Sequence, residues 1–272
     1  MESYLGPFGS MIPFKCPSAL AVSAAERSTL TRLLGGAVYE QRGPRGRRQW
    51  SVDIGTTTPK EIAHLGALVD GFYGPSPWVF VGPMQMVTNL FSPEQALLDP
   101  GTHSTGATIT PGGAGFTSDG LRYGRSLNVS GGAEVALHRR DGATERLPVR
   151  PLVPVTASIY GSGGAAIRLD WINNTGGFIS NVTSAAGSGN WTRRVLKATP
   201  PSNAAGAQMI VVGATGFTMP AFTWTTDTPP WSPGKGSNAV TVDGLAEAVQ
   251  MAVQDAPNMR RGSASFTIQE LN

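Results

Sequence analysis

The chain has one cysteine, Cys16, so no intrachain disulfide forms and folding needs no oxidising compartment. Charge is scarce too: 14% of the 272 residues are Asp, Glu, Lys or Arg, against roughly 25% in an average soluble domain. The net charge of +3 is small for this length. It supplies no basic stripe of the kind nucleic-acid binding requires. No run of about 18 apolar residues occurs, which excludes a membrane-spanning helix. The short SALAVSAA run from Ser18 is not read as a secretory signal, because it starts late and only Lys15 precedes it closely. Histidine is equally rare. His64, His103 and His138 are isolated, and none stands at metal-ligand spacing from another His, Cys or carboxylate.

Glycine and proline are plentiful, at 35 and 21 residues. Yet 40% of the chain is hydrophobic, so the composition is not that of a disordered chain. Short strands joined by many turns account for both facts, and the fold class expected is mainly β. Residues 1–17, with Pro7, Pro13 and Pro17, read as an irregular arm that packs on a neighbouring subunit. The segment YEQRG-PRG-RRQWSVDIG reads as a hairpin with its turn at Pro44-Arg45-Gly46. In its second strand Trp50, Val52 and Ile54 share one face, and Ser51 and Asp53 the other. Arg42, Arg45, Arg47 and Arg48 cluster near that turn as a solvated tip. One helix is clearly punctuated. Thr58 caps it, Pro59 fits its first turn, and Glu61 completes a capping box. Ile62, Leu65, Leu68, Val69 and Phe72 then form its apolar stripe.

After Pro100 the texture changes. Short strands recur every roughly 8–12 residues between Gly-rich turns, the spacing of a β-sandwich or jelly roll. Asp141-Gly142 is the strongest hairpin cue. Gly161, Gly163 and Ala166 match a dinucleotide-binding pattern, but that pattern needs a helix next and IRLDWINN reads as a strand. The glycines are therefore read as a hairpin tip. The final SASFTIQEL alternates as a strand that returns to pair with the first domain. The organisation expected is a β-barrel-like domain with one α-helix over residues 1–95 and 238–272, and a jelly roll inserted over 96–237.

Catalytic patterns are lacking. No Gly-x-Ser-x-Gly elbow or phosphate-binding loop is present, and no carboxylate pair stands out for glycoside hydrolysis, which needs a separation of roughly 5–10 Å. The reading is of a non-enzyme with no cofactor and no metal, although Asp99, Asp119 and Asp227 lie near loops where calcium ligands gather. The tryptophans carry the functional question. Trp171 alternates with Leu169 and Ile167, and Trp191 opens a strand with Val195 on the same face. Both are expected in the core, with Trp50 and Trp78. Trp224 and Trp231, near Pro229-Pro230, are expected as contacts for a saccharide or another subunit, since an aromatic ring can stack on an apolar sugar face.

Two sets of residues resemble known families. Arg48, Trp50, Trp78, Phe80, Pro83, Asn89 and Leu90, in RRQWSVDIG, WVFVGP and TNLFSP, resemble the N-terminal domain of distal tail and minor tail proteins of long-tailed phages, especially of actinobacterial hosts. The ending RRGSASFTIQELN is similar to their closing strand. GNWTRRVLKATPPSNAAGAQMIV, through Gly189, Trp191, Arg193, Pro200, Ala204 and Ala207, resembles the carbohydrate-binding-module-like jelly rolls inserted in such proteins. The resemblance implies a virion protein of the tail tip, assembled in the host cytoplasm. It implies a homo-oligomeric ring, commonly six-fold, that joins the tail tube protein to other tail-tip proteins. The alternative is an adsorption module that binds host cell-wall saccharide. Neither role involves nucleic acid or membrane.

Overall fold

The structure, a computed structural model, describes residues 2–15, 17–24, 28–32, 38–42, 47–104, 108–132, 134–138, 146–251 and 261–271. Cys16, Arg45, the Arg42 side chain and the Asp141-Gly142 turn lie outside the described residues. The fold is mainly β. The chain divides into two units: Met1–Pro7, Ile12–Phe80 and Asn238–Asn272 form the first, and Phe8–Met11 with Val81–Ser237 the second.

The first unit is built on a seven-stranded sheet. Its order is Ile12–Lys15, Glu2–Gly6, Trp78–Val81, Ser237–Met251, Arg261–Glu270, Arg48–Thr57, Ala19–Ala24. The closing strand Arg261–Glu270 does return to this unit and lies antiparallel between Ser237–Met251 and Arg48–Thr57. Successive side chains of a strand point to opposite faces. Trp50, Val52 and Ile54 are accordingly buried, while Ser51 and Asp53 are exposed. Their register partners Ile268, Phe266 and Ala264 are buried as well. One apolar face thus runs across the sheet and continues into Trp78, Phe80, Leu5 and Phe14.

Helix α1 (Pro59–Val69) supplies the cover for part of that face. The Thr58 hydroxyl accepts from the Glu61 N–H and the Glu61 carboxylate accepts from the Thr58 N–H, which completes the capping box. Leu65 and Leu68 reach the core. The expected stripe is wider than the buried one: Val69 is exposed, and Phe72 is 78% exposed. Both lie at or beyond the helix end, where the stripe has already rotated away from the sheet.

Three expectations need correction here. The N-terminal segment is not an irregular arm. Glu2–Gly6 and Ile12–Lys15 pair antiparallel, and Tyr4, Leu5 and Phe14 are buried. Pro13 lies in the outermost strand, where a sheet tolerates proline, and Pro7 and Pro17 fall between strands. Nor does Arg48–Thr57 form a hairpin with the preceding run. A strand has two edges, and both are taken, by Ala19–Ala24 and Arg261–Glu270. Val38–Arg42 pairs with Ser28–Arg32 instead. Finally, Arg48 is no solvated tip: its guanidinium holds the Glu270 carboxylate.

The second unit begins with two short helices, α2 (Pro83–Thr88) and α3 (Pro93–Ala96), each opened by proline. Residues 81–95, grouped with the first domain by sequence, pack here. Leu90 N–H donates to Phe222 O, and buried Asn89 donates to Pro220 O and Ser232 O while accepting from Phe222 N–H. Two strands of 18 residues dominate the unit, Val155–Ile172 and Gly206–Thr223, paired antiparallel along their length. The hairpin tip expected at Gly161 and Gly163 is not formed. The glycines instead form bulges: the register shifts between Ser162 and Ala166, with Gly163 at φ +68° and Gly213 opposite at φ +67°. A bulge bends a strand without ending it. Beyond the bend the neighbours change. The first half of Val155–Ile172 pairs with Thr192–Ala198, the second with Phe178–Thr183. Likewise Gly206–Thr223 pairs with Leu147–Pro148, Val135–Leu137 and then Ser126–Val129 along its length. The result is a curled, jelly-roll-like β architecture. Val155, Ala157, Ile159, Ile167, Leu169 and Trp171 alternate into its core.

Candidate functional site

The opposite phase of the same long strand builds the site. Thr156, Ser158, Tyr160 and Ser162 point away from the apolar core phase, yet all are buried. Loops cover them. The cover consists of the Gly115–Phe116/Arg122–Tyr123 hairpin, the turn before Thr192, and the segment around Trp231. The hairpin is closed by the Ser118-Asp119-Gly120 turn. Thr117 N–H donates to Leu121 O at 2.9 Å, and Gly120 adopts φ +83°. A Cβ on Gly115 would meet the Tyr123 hydroxyl at 2.5 Å, so a larger residue there would push the Tyr123 ring out of its place.

Under this cover Tyr160, Tyr123 and Met219 form a cluster with Trp191 and Trp231 packed against it. The Trp191 and Tyr123 ring centroids are 5.0 Å apart and tilted by 36°. Trp191 O accepts from Ser118 N–H at 3.0 Å, which ties the turn to the hairpin. Trp231 donates its indole N–H to Pro220 O at 3.2 Å. Trp191 and Met219 both hold positive φ, +53° and +55°. For bulky side chains this conformation is strained, and strain of this kind concentrates at functional sites.

The polar groups sit beside the rings. Tyr160 donates its hydroxyl to Asp119 Oδ2 at 2.7 Å, and Thr117 donates its hydroxyl to Asp119 Oδ1. Arg193 is the register partner of Tyr160 on the adjacent strand, with its guanidinium carbon 5.8 Å from the Tyr160 ring. Its Nη2 donates to Pro229 O at 2.6 Å and Ser158 Oγ at 3.2 Å, and its Nε is buried without a partner. The hydrogen bonds from Thr117 and Tyr160 hold the Asp119 carboxyl below its usual range, with Arg193 adding to the effect. Burial, then the bond to Asp119, pushes the Tyr160 phenol up to about 12. At neutral pH Asp119 is therefore a carboxylate and Tyr160 a neutral donor, so both are set for hydrogen bonding rather than proton transfer.

The residues nominated from sequence distribute as follows. Trp50, Trp78 and Trp171 are buried. Trp191 is only half-buried and joins the Tyr123–Tyr160–Met219 cluster, not the central core. Trp231 is half-buried at the same place. Trp224 needs correction as a surface contact. It is 8% exposed and donates its indole N–H to Pro148 O at 2.9 Å, because it continues the Gly206–Thr223 strand into the interior rather than the loop after it. His64 meets the Tyr73 hydroxyl at 2.8 Å. His103 is half-buried, with its pKa lowered by desolvation and then by His138 and Arg125. Asp99 pairs with Arg125 at 2.7 Å, and Asp227 is exposed. Among the described residues no group of three His, Cys, Asp or Glu side chains is placed to hold a metal ion. Sequence reading missed Tyr160 and Tyr123. The available signal was the outward phase of the VTASIYG strand, which carries a large tyrosine where a solvent face needs none.

No protein-family model matches the chain, and no curated protein does. Among solved structures it is similar to the enzymatically active domain of bacteriophage CBA120 tailspike protein 4, at 12% identity and TM-score 0.41, over 50% of this chain and 21% of that one. It is similar to the CBM22-1-GH10 modules of Clostridium thermocellum xylanase 10B, at 14% identity and TM-score 0.33, over 54% and 30%. A third similarity is to CsCBM6-3 of Clostridium stercorarium, solved with cellobiose, at 13% identity and TM-score 0.26, over 45% and 93%. The chain thus spans under a third of the first two. Scores this low carry no argument about function, which rests on the site itself.

Proposed function

We propose that the protein is a structural component of a phage tail whose second unit binds saccharide at the half-buried aromatic cluster of Trp191 and Trp231, with the first unit as its mount. One observation carries the binding reading. Half-buried Trp191 and Trp231 pack on a cluster whose Tyr160 is hydrogen-bonded to Asp119 and flanked by Arg193. A sugar ring offers apolar faces and a polar edge. Aromatic rings serve the faces, and a few fixed polar groups serve the hydroxyls. The test is a glycan-array screen followed by calorimetry on the hits. Binding that is lost in Trp231→Ala with an unchanged circular dichroism spectrum supports the reading. Absence of any glycan binding sinks it.

The mount reading, a tail-tip ring joining tube to tip, draws on the resemblance in Arg48, Trp50, Trp78 and Phe80. These residues meet in the first unit: Arg48 lies 4.9 Å from the Trp50 ring, Trp50 and Phe80 pack edge-on at 5.4 Å, and Trp78 joins the same core. Ring closure, commonly six-fold, is tested by sedimentation velocity over a concentration series, with and without the tail tube protein. A protein that stays monomeric in both would leave saccharide binding at the aromatic cluster as its proposed function.

A further inference from the structure

Resting on the saccharide-binding reading, we infer that the ligand of this aromatic cluster carries an anionic group, a carboxylate or a phosphate, and that Arg193 recognises it. Three half-buried arginines of this protein pair with carboxylates. Arg48 holds Glu270, Arg125 holds Asp99, and Arg168 holds Glu134 and Asp170. Arg193 does not follow this pattern. It is half-buried, and the acceptors of its Nη2 are neutral, a proline carbonyl and a serine hydroxyl. Its buried Nε has no acceptor, and among the described residues Nη1 makes no hydrogen bond. A cation withdrawn from water calls for a counter-charge.

Asp119 is the nearby candidate for that role, and its geometry assigns it elsewhere. Its two oxygens accept from Tyr160 and Thr117, and no ion pair with Arg193 forms. Arg194, the next residue, is likewise half-buried, bound to carbonyls and without an acceptor at its Nε, but it packs into the 187–189 turn: a Cβ on Gly187 would lie 1.9 Å from its Cζ. Arg193 faces the aromatic cluster instead. Two bonds occupy both N–H groups of Nη2, which fixes the guanidinium beside the rings and leaves the N–H donors of Nη1 for a ligand. A charged N–H donor makes a strong hydrogen bond to a carboxylate or phosphate oxygen. Trp191 and Trp231 then take the sugar face, and Arg193 takes the charge.

The experiment uses the full chain on an array of neutral, uronate-bearing and phosphodiester-linked oligosaccharides, followed by titration calorimetry at low and high salt. The expected result is binding to acidic glycans, weakened by salt. The uronate and phosphodiester arms separate the two sources of charge. Arg193→Gln should weaken that binding about 10–100-fold, the loss of one charge-assisted contact. Arg193→Lys should recover part of it, and Asp119→Asn should tighten it by removing a like charge. Binding confined to neutral glycans, indifferent to salt and to Arg193→Gln, overturns this inference and leaves the saccharide reading intact. Acidic binding that survives Arg193→Gln unchanged overturns it too. No binding to any class overturns both.

Discussion

Arg48 and Glu270, 222 positions apart, grip each other at the end of two adjacent strands. Arg48 Nη2 and Nε reach the two carboxylate oxygens at 2.7 and 3.1 Å, and the Arg48 N–H adds a third bond at 3.0 Å. Both side chains are nearly withdrawn from water, at 11% and 7% exposure. Removing one partner strands the other as an uncompensated charge, at a cost of about 3–5 kcal/mol. Glu270→Ala should therefore lower the urea midpoint sharply, while the double variant Arg48→Met, Glu270→Leu should lose far less. Equal losses would mean that the ion pair itself, rather than the stranded charge, sets the stability.

The N-terminal strands make a second prediction. Phe14 is buried and packs edge-on against Phe266 at 5.9 Å. A Phe→Ala change in a core costs about 3–5 kcal/mol. Phe14→Ala, like deletion of residues 1–15, should destabilise folding of the first unit and not merely its assembly. A truncated protein with an unchanged melting curve would return these residues to the role of a docking arm.

These two cases show what could be read from sequence and what could not. Period-2 alternation exposed the faces of Arg48–Thr57 and of the closing strand, and Thr58-Pro59-x-Glu61 exposed the helix start, because both are local physics. Pairing is not local. Nothing in RRQWSVDIG says that Ala19–Ala24 takes one of its edges and Arg261–Glu270 the other. Glycine misled for a similar reason. At Gly163 and Gly213 it permits a positive φ that ends a strand in a turn or bends it in a bulge, and only the partner strand decides which. In the aromatic cluster, sequence found Trp191 and Trp231 but took Trp191 for core and paired Trp231 with Trp224. The deciding contacts, Tyr160 to Asp119 and Ser118 to Trp191, span 41 residues and 73 residues respectively, beyond any motif.

The third prediction concerns pH. Tyr160 is raised to about 12, first by burial and then by its bond to Asp119. An unfolded tyrosine loses its proton near pH 10. Between those values the folded state binds more protons than the unfolded one, so stability falls as pH rises through the window. The stabilisation is fully present below about pH 10. Melting temperatures of the protein and of Tyr160→Phe, measured from pH 9 to 12, should converge as pH rises. Phenolate absorbance should show one of the five tyrosines titrating late. Parallel melting curves across that range would show that Tyr160 ionises normally and that its bond to Asp119 is absent in solution.

The strained turn at Trp191 supports a last prediction, because the backbone and the ring can be separated there. Replacing a residue by glycine normally costs more stability than replacing it by alanine, by roughly 0.5–1 kcal/mol, through the extra freedom of the unfolded chain. At φ +53° the order should reverse. Alanine keeps the Cβ that makes a left-handed conformation unfavourable by roughly 1–2 kcal/mol, and glycine removes it. Both variants lose the ring that packs on Tyr123, so that loss cancels in the comparison. The Ser118 N–H bond to the residue-191 carbonyl is open to both. Trp191→Gly should thus melt above Trp191→Ala, while neither binds glycan. The opposite order would mean that the turn relaxes to negative φ once the indole is gone. In that case the ring holds the strain in place, and ring packing against Tyr123 is strong enough to bend the backbone.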